Sequence, residues 1–301
     1  MSRTDLATRS KPSGGGVRLT GFLPPIATPM LDGKLDLASL ARQLDYLADH
    51  VSGYLVGGSV GEVASLTVEE REALVRACAA HVQGERTLAI SISDNCIEIS
   101  RRLADVAGEA GADVVMVSCP NYFTNNLGML VEYFGALAEF VPADICLYDN
   151  PIASHTLLSV EDIQAIAEAV PRVSHIKVTD TAIEKVAALR EATDLVVHAG
   201  DDVVLWHQLS RGADGAMVAL PMIYPECASA IWRAFQAGDE AAAFAEYANA
   251  TRFFHIALGA PDFVASIKTV LHHRGIIASP EVRLPLLQPN ERRRREFIDA
   301  L

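Results

Sequence analysis

Apolar residues come along this chain in short, evenly spaced bursts. Eight runs rich in Val, Ile and Leu stand at 21–29, 53–57, 87–93, 112–118, 143–149, 173–179, 195–199 and 215–220. Such runs fit strands covered on both faces, as in a parallel sheet. Between them lie segments with helical spacing, such as Leu37, Leu40, Leu44 and Leu47. Thr67 with Glu70 reads as a capping box that opens one helix, and Ser159 with Asp162 opens another in a similar way. Eight strand–helix units predict an α/β fold, a (β/α)8 TIM barrel with its helices outside. An open doubly wound sheet is the alternative. It usually carries a Gly-rich phosphate loop after its first strand, and Pro24-Pro25 followed by Thr28-Pro29 is not one. Beyond about residue 224 only helical patterns remain. The expected organisation is a disordered N-terminal tail over 1–16, a barrel over 17–236 and a C-terminal helical region over 237–301.

The length of 301 residues suits one barrel of roughly 250 residues with an appendage. Half the residues are hydrophobic, yet no apolar run reaches the roughly 18 residues that a membrane span needs. The polar, Gly/Ser-rich start lacks the apolar stretch of a signal peptide. A net charge of -13 argues against nucleic acid and anionic membranes as partners. The one basic run, 292–295, is flanked by Glu291 and Glu296 and reads as a solvated helix face. Five dispersed cysteines without a CxxC pair fit free thiols in a reducing cytoplasm.

Active sites of such barrels sit at the C-terminal strand ends. Lys177 lies within the apolar run Val173-Ser174-His175-Ile176-Lys177-Val178, and alternation puts His175, Lys177 and Thr179 on the face opposite Ile176 and Val178. If the apolar pair faces the helices, Lys177 points into the barrel, where burial disfavours a charged ammonium and a free amine can attack a carbonyl to form an imine. A lysine paired with a barrel carboxylate, or holding a substrate phosphate, is the competing reading. Tyr148 ends the neighbouring fifth run; its phenol is a candidate proton shuttle, although a strand-end tyrosine also serves simply for packing. Gly57-Gly58-Ser59-Val60-Gly61-Glu62 follows the second run. Its amides and serine hydroxyl suit a carboxylate, or it is a tight turn and nothing more.

The ordered set resembles the dihydrodipicolinate synthase / N-acetylneuraminate lyase family of class I pyruvate-dependent aldolases. Gly58-Ser59-Val60-Gly61-Glu62 is similar to that family's G-[ST]-x-G-E loop, Pro120-Asn121-Tyr122 to its P-x-Y segment, and Tyr148-Asp149-Asn150-Pro151 to its Y-[ND]-x-P element. Ile176-Lys177 matches the Schiff-base strand, Gly200-Asp201-Asp202 and Gly212-Ala213-Asp214-Gly215 the seventh and eighth strand ends, and Arg283-Leu284-Pro285 a C-terminal R-x-P. The resemblance implies that Lys177 forms the imine and that Tyr148 is the acid/base. It implies that Gly58, Ser59 and the backbone of Val60 hold the keto-acid carboxylate, with backbone contacts from Met217. Tyr122 matches a tyrosine that reaches into a neighbouring subunit's site, and the family is usually a homotetramer, a dimer of tight dimers. No cofactor and no metal are implied.

Two departures bear on the substrate. Val60 stands where the synthases and sialic acid lyases commonly carry a hydroxyl, which leaves a Tyr–Thr–Tyr proton relay without its middle member. Ile152-Ala153-Ser154-His155 also lacks the arginine that binds the synthases' second substrate. Both argue against lysine biosynthesis. Asn121, Asp149 and His155 are then expected to contact a hydroxylated tail, as in a 2-keto-3-deoxy sugar acid or a 4-hydroxy-2-keto acid. Two other classes compete. A metal-dependent barrel enzyme needs convergent ligands, and the nine histidines form no HxH or HxxxH pair, though His175 and His198 end neighbouring strands. A non-catalytic keto-acid-binding barrel is the other.

Overall fold

The computed structural model describes residues 18–257 and 261–301; the expected tail over 1–16 lies outside them. Eight parallel strands form one sheet: β1 (Gly21–Phe22), β2 (Gly53–Val56), β3 (Thr87–Ser91), β4 (Val114–Ser118), β5 (Asp144–Asp149), β6 (Val173–Val178), β7 (Val196–Ala199) and β8 (Gly215–Ala216). From β2 to β8 each pairs with the next in sequence, and β8 pairs back onto β1. The ring closes between β1 and β2. Pro24 and Pro25 have no N–H, so regular pairing stops after Phe22. Closure uses what remains: Ser52 and Leu55 donate to the carbonyls of Phe22 and Pro24 at 2.9 Å each, and Ile26 donates to Leu55 at 3.0 Å. The fold is the expected (β/α)8 barrel.

Alternate strand residues divide into two cores. Leu55, Ala89, Val114, Met116, Cys146 and Tyr148 pack together inside the ring. Their neighbours Val56, Ile90, Val115, Val117, Ile145 and Leu147 pack outward with the helices. Ile176 and Val178 join the outer core, so the two-residue period leaves His175 and Lys177 inside, as expected. Both expected capping boxes form, at Thr67 and Ser159.

The eighth apolar run keeps only Gly215–Ala216 as strand. Its end turns into the helix Leu220–Ile223 because the Asp202 carboxylate accepts the N–H groups of Ala219 (3.1 Å) and Leu220 (2.6 Å). Gly215 sits at the crowded seam: a Cβ there would lie 2.6 Å from the Gly21 carbonyl oxygen and 2.9 Å from its nitrogen. Gly215→Ala is therefore expected to destabilise the barrel by about 1–3 kcal/mol, read as a lower denaturant midpoint.

Helices Pro225–Gln236, Glu240–Ala257, Phe263–His273 and Glu291–Asp299 complete the chain, in line with the helical reading of its end. Among the described residues no helix is long and apolar enough to cross a membrane. A hairpin that the apolar pattern does not announce, Met30–Leu31 with Lys34–Leu35, turns through left-handed Asp32 and Gly33. It docks the C-terminal segment. The Gly33 N–H donates to Glu281 at 2.9 Å, and Arg283 donates to the Gly33 carbonyl at 2.8 Å.

Candidate active site

Among the described residues three lysines are buried, and their partners separate them. Lys185 lies 2.7 Å from Asp149 and 3.0 Å from Asp180. Lys268, wholly buried, pairs with the equally buried Glu62. Lys177 is 3% exposed and makes no ion pair with a carboxylate among the described residues; its Nζ lies 4.3 Å from the centre of the Tyr148 ring. Tyr148 and Lys177 are register partners on β5 and β6, so the strands themselves hold amine and phenol together.

The phenol is tuned. Burial pushes it up, but the Lys177 charge and then hydrogen bonding from Ser59, Thr179 and Lys177 outweigh burial and hold it below the ordinary tyrosine value. The Asn150 amide donates to the phenol oxygen at 2.9 Å. Ser59 is exposed to the cavity, whereas the Val60 side chain packs into the outer core. The turn explains this: Gly61 N–H donates to the Gly58 carbonyl and Glu62 N–H to that of Ser59, both at 3.0 Å, and Glu62 is left-handed with φ 58°. This corrects the expectation drawn from Val60. The hydroxyl that faces Tyr148 is that of Ser59, so the valine does not remove it.

Gly58, Ser59, Asn121 and Tyr148 line one cavity of about 780 Å³ at the C-terminal strand ends. Ser91 and Ser93 from β3 and its loop, and Val264, Pro285 and Leu286 from the C-terminal region, complete walls that periodicity did not reveal. Arg71 also lines it, but its guanidinium is taken by Asp94 (3.0 Å) and the Ser93 carbonyl (2.8 Å). Met217 is wholly buried in the inner core beside Tyr148. Asn121 and Asn95 clasp each other, with bonds of 2.6 and 2.9 Å.

Three expected residues stand elsewhere. Asp149 points outward to Lys185, one strand position from Tyr148, and is not free for a substrate. His155 is exposed, caps the short helix Pro151–Ser154 in a left-handed conformation and does not line the cavity. Tyr122 is 89% exposed with φ 75°, its ring edge-on to Phe123. Backbone strain of this kind costs about 1–3 kcal/mol and collects at functional sites. Asp201 and Asp202 act as backbone acceptors, Asp201 for Val203 (2.8 Å) and Val204 (3.2 Å).

Comparison with known proteins identifies the family of this barrel. The N-acetylneuraminate lyase of Citrobacter koseri is 28% identical over 91% of this chain and 93% of its own. The 4-hydroxy-tetrahydrodipicolinate synthase of Corynebacterium aurimucosum is 29% identical over 90% and 88%. Among solved structures, an E. coli prophage protein of the dihydrodipicolinic acid synthase family, in complex with pyruvate, superposes with a TM-score of 0.88 at 26% identity, covering 92% of this chain and 96% of that one. The family model of the dihydrodipicolinate synthetase family matches residues 18–301. Barrel, strand-end lysine and tyrosine, and the match along the described chain lead to one conclusion: the protein belongs to the dihydrodipicolinate synthetase family, which comprises lyases and synthases of the class I aldolase type.

Proposed function

We propose that the protein is a Schiff-base lyase, an aldolase or dehydratase, acting on a 2-keto acid, in particular a 2-keto-3-deoxy sugar acid or a 4-hydroxy-2-keto acid. The observation that carries this is that Lys177, which is buried, makes no ion pair with an acid among the described residues. A buried lysine kept for structure is paired with an acid, as Lys185 and Lys268 are; Lys177 faces a phenol instead. The amine attacks the keto carbon, water leaves, and the iminium draws electrons from the C3–C4 bond in cleavage or eases loss of a hydroxyl in dehydration. Tyr148 moves the protons. Ser59 and the amides of its turn hold the carboxylate, with Met217 contributing backbone contacts. Pyruvate is the product of cleavage for many such substrates.

The absence of an arginine over 152–155 supports a hydroxylated tail over the synthases' second substrate, and the engagement of Arg71 by Asp94 leaves that argument standing. Asn121, at the cavity wall, is the residue best placed to meet the tail. Exposed Tyr122, Phe123, Ile152 and Leu157 support burial against a second copy, and a homotetramer in which Tyr122 enters a neighbour's site. Five free cysteines support a cytoplasmic location.

Incubation with pyruvate and borohydride tests the reading: a stable mass increase on Lys177 is expected, and its absence removes the proposal. A screen of 2-keto acids with pyruvate detection then separates cleavage from dehydration and condensation. Tyr148→Phe is expected to lower turnover by about 10²–10⁴-fold while the protein stays folded; unchanged turnover would take the acid/base role from Tyr148.

A further inference from the structure

Two histidines are stacked inside the barrel, and the imine chemistry above uses neither. His175 on β6 and His198 on β7 lie with ring centres 5.8 Å apart and planes 9° from parallel. Both are buried, His198 completely. His175 is anchored at Nδ1, 2.9 Å from the Ser174 hydroxyl, which donates to Asp144 at 3.2 Å. Neither ring nitrogen of His198 has a hydrogen-bond partner among the described residues. A neutral imidazole carries one donor and one acceptor, and buried polar atoms are normally satisfied. An apolar side chain would fill this place without unpaired atoms, so the imidazole is a costly filler and its polarity calls for a use.

Its neighbours suggest the use. Tyr148 pairs with Lys177, and Lys177 pairs with His198, in the register of β5, β6 and β7. The lysine thus stands in register between a phenol and an imidazole, with its Nζ 4.3 Å from the centre of the phenol ring. The charged and titratable groups that act on His198 are His175 and Lys177 from β6 and Arg18 from the segment before β1. Asp214 holds Arg18 in an ion pair. Asp201 and Asp202 reach Lys177 from the loop after β7, and Cys146 reaches it from β5. Burial first, then the neighbouring positive groups, keep His198 neutral, well below the ordinary histidine value.

We propose that His198, backed by His175, is a positioning residue for Lys177: a neutral, polar wall that keeps the lysine against Tyr148 and offers an acceptor dipole to the cation formed there. This rests on Lys177 being the imine lysine. The wall adds no second positive charge beside the iminium, and its ring dipole favours that iminium over the free amine. A purely space-filling histidine would do neither.

The test follows the rate of pyruvate adduct formation on Lys177, trapped by cyanoborohydride and read by mass, from pH 6 to 10. Wild type is compared with His198→Leu, His198→Gln and His198→Met. Taking the ratio to wild type at each pH cancels the reagent's own pH dependence. His198→Leu is expected to lower the plateau rate by about tenfold and to move the midpoint of the profile downward by up to about one pH unit, the two being equivalent in free energy. His198→Gln, polar and uncharged, is expected to restore both to within about threefold. His198→Met serves as the apolar variant should the leucine not fold. A folded apolar variant that matches wild type in rate and midpoint overturns the role of His198 while leaving the imine intact. A wild type that forms no adduct on Lys177 overturns the imine reading and this inference with it.

Discussion

Lys177→Ala is expected to form no borohydride-stable pyruvate adduct and to lose at least about 10³-fold in turnover. Among the described residues no other buried amine is free to take over. Lys185 is held by Asp149 and Asp180, and Lys268 by Glu62, so both remaining buried ammonium groups are committed to carboxylates. The cavity still contains Ser59 and Tyr148, so the variant should bind a keto acid without reacting with it. Lys177→Arg separates charge from nucleophilicity, since a guanidinium keeps the positive charge but does not form the imine. It is expected to be as inactive as the alanine variant. Lys177 makes no ion pair with a carboxylate among the described residues, so the unfolding free energy of Lys177→Ala is expected to stay within about 1–2 kcal/mol of wild type. Equal turnover by wild type and Lys177→Ala would end the assignment.

The largest stability effect is expected at the Glu62–Lys268 pair. Both side chains are wholly buried. Burial pushes the Lys268 ammonium below its ordinary value, and Glu62 opposes that fall. Removing one partner strands the other, at a cost of about 3–5 kcal/mol. Lys268→Met alone and Glu62→Gln alone should each lower the denaturation midpoint to this extent. The double variant should recover most of the loss, because no buried charge is then left alone. Glu62 also accepts the Arg283 N–H at 2.8 Å, and Arg283 pairs with the helix-capping Glu70. The Glu62 variant should therefore loosen the segment carrying Pro285 and Leu286 and raise KM more than it lowers kcat. Single variants that lose less than about 1 kcal/mol would show the pair to be dispensable.

What could be read from the residues alone was whatever has a local period. Alternation along β6 puts Lys177 inside the ring because Ile176 and Val178 have to meet the helices, and Thr67 and Ser159 each cap a helix by accepting the N–H three residues ahead. Where the chain leaves regular structure, the period stops. The left-handed Glu62 turns the loop so that Ser59, not Val60, faces Tyr148, and no strand or helix pattern encodes that direction. Lys268 resembles any helical lysine until the fold brings it to Glu62, more than two hundred residues earlier. That His175 and His198 end neighbouring strands could be read; that their rings stack required the two strands joined in register.

The groups proposed to react, Tyr148 and Lys177, come from β5 and β6, whereas part of the cavity wall comes from Val264, Pro285 and Leu286, far along the chain. Part of the wall that a substrate tail would meet is thus encoded well away from the strands that carry Lys177 and Tyr148. Substitutions among the last forty or so residues can therefore reshape that wall without touching Lys177 or Tyr148.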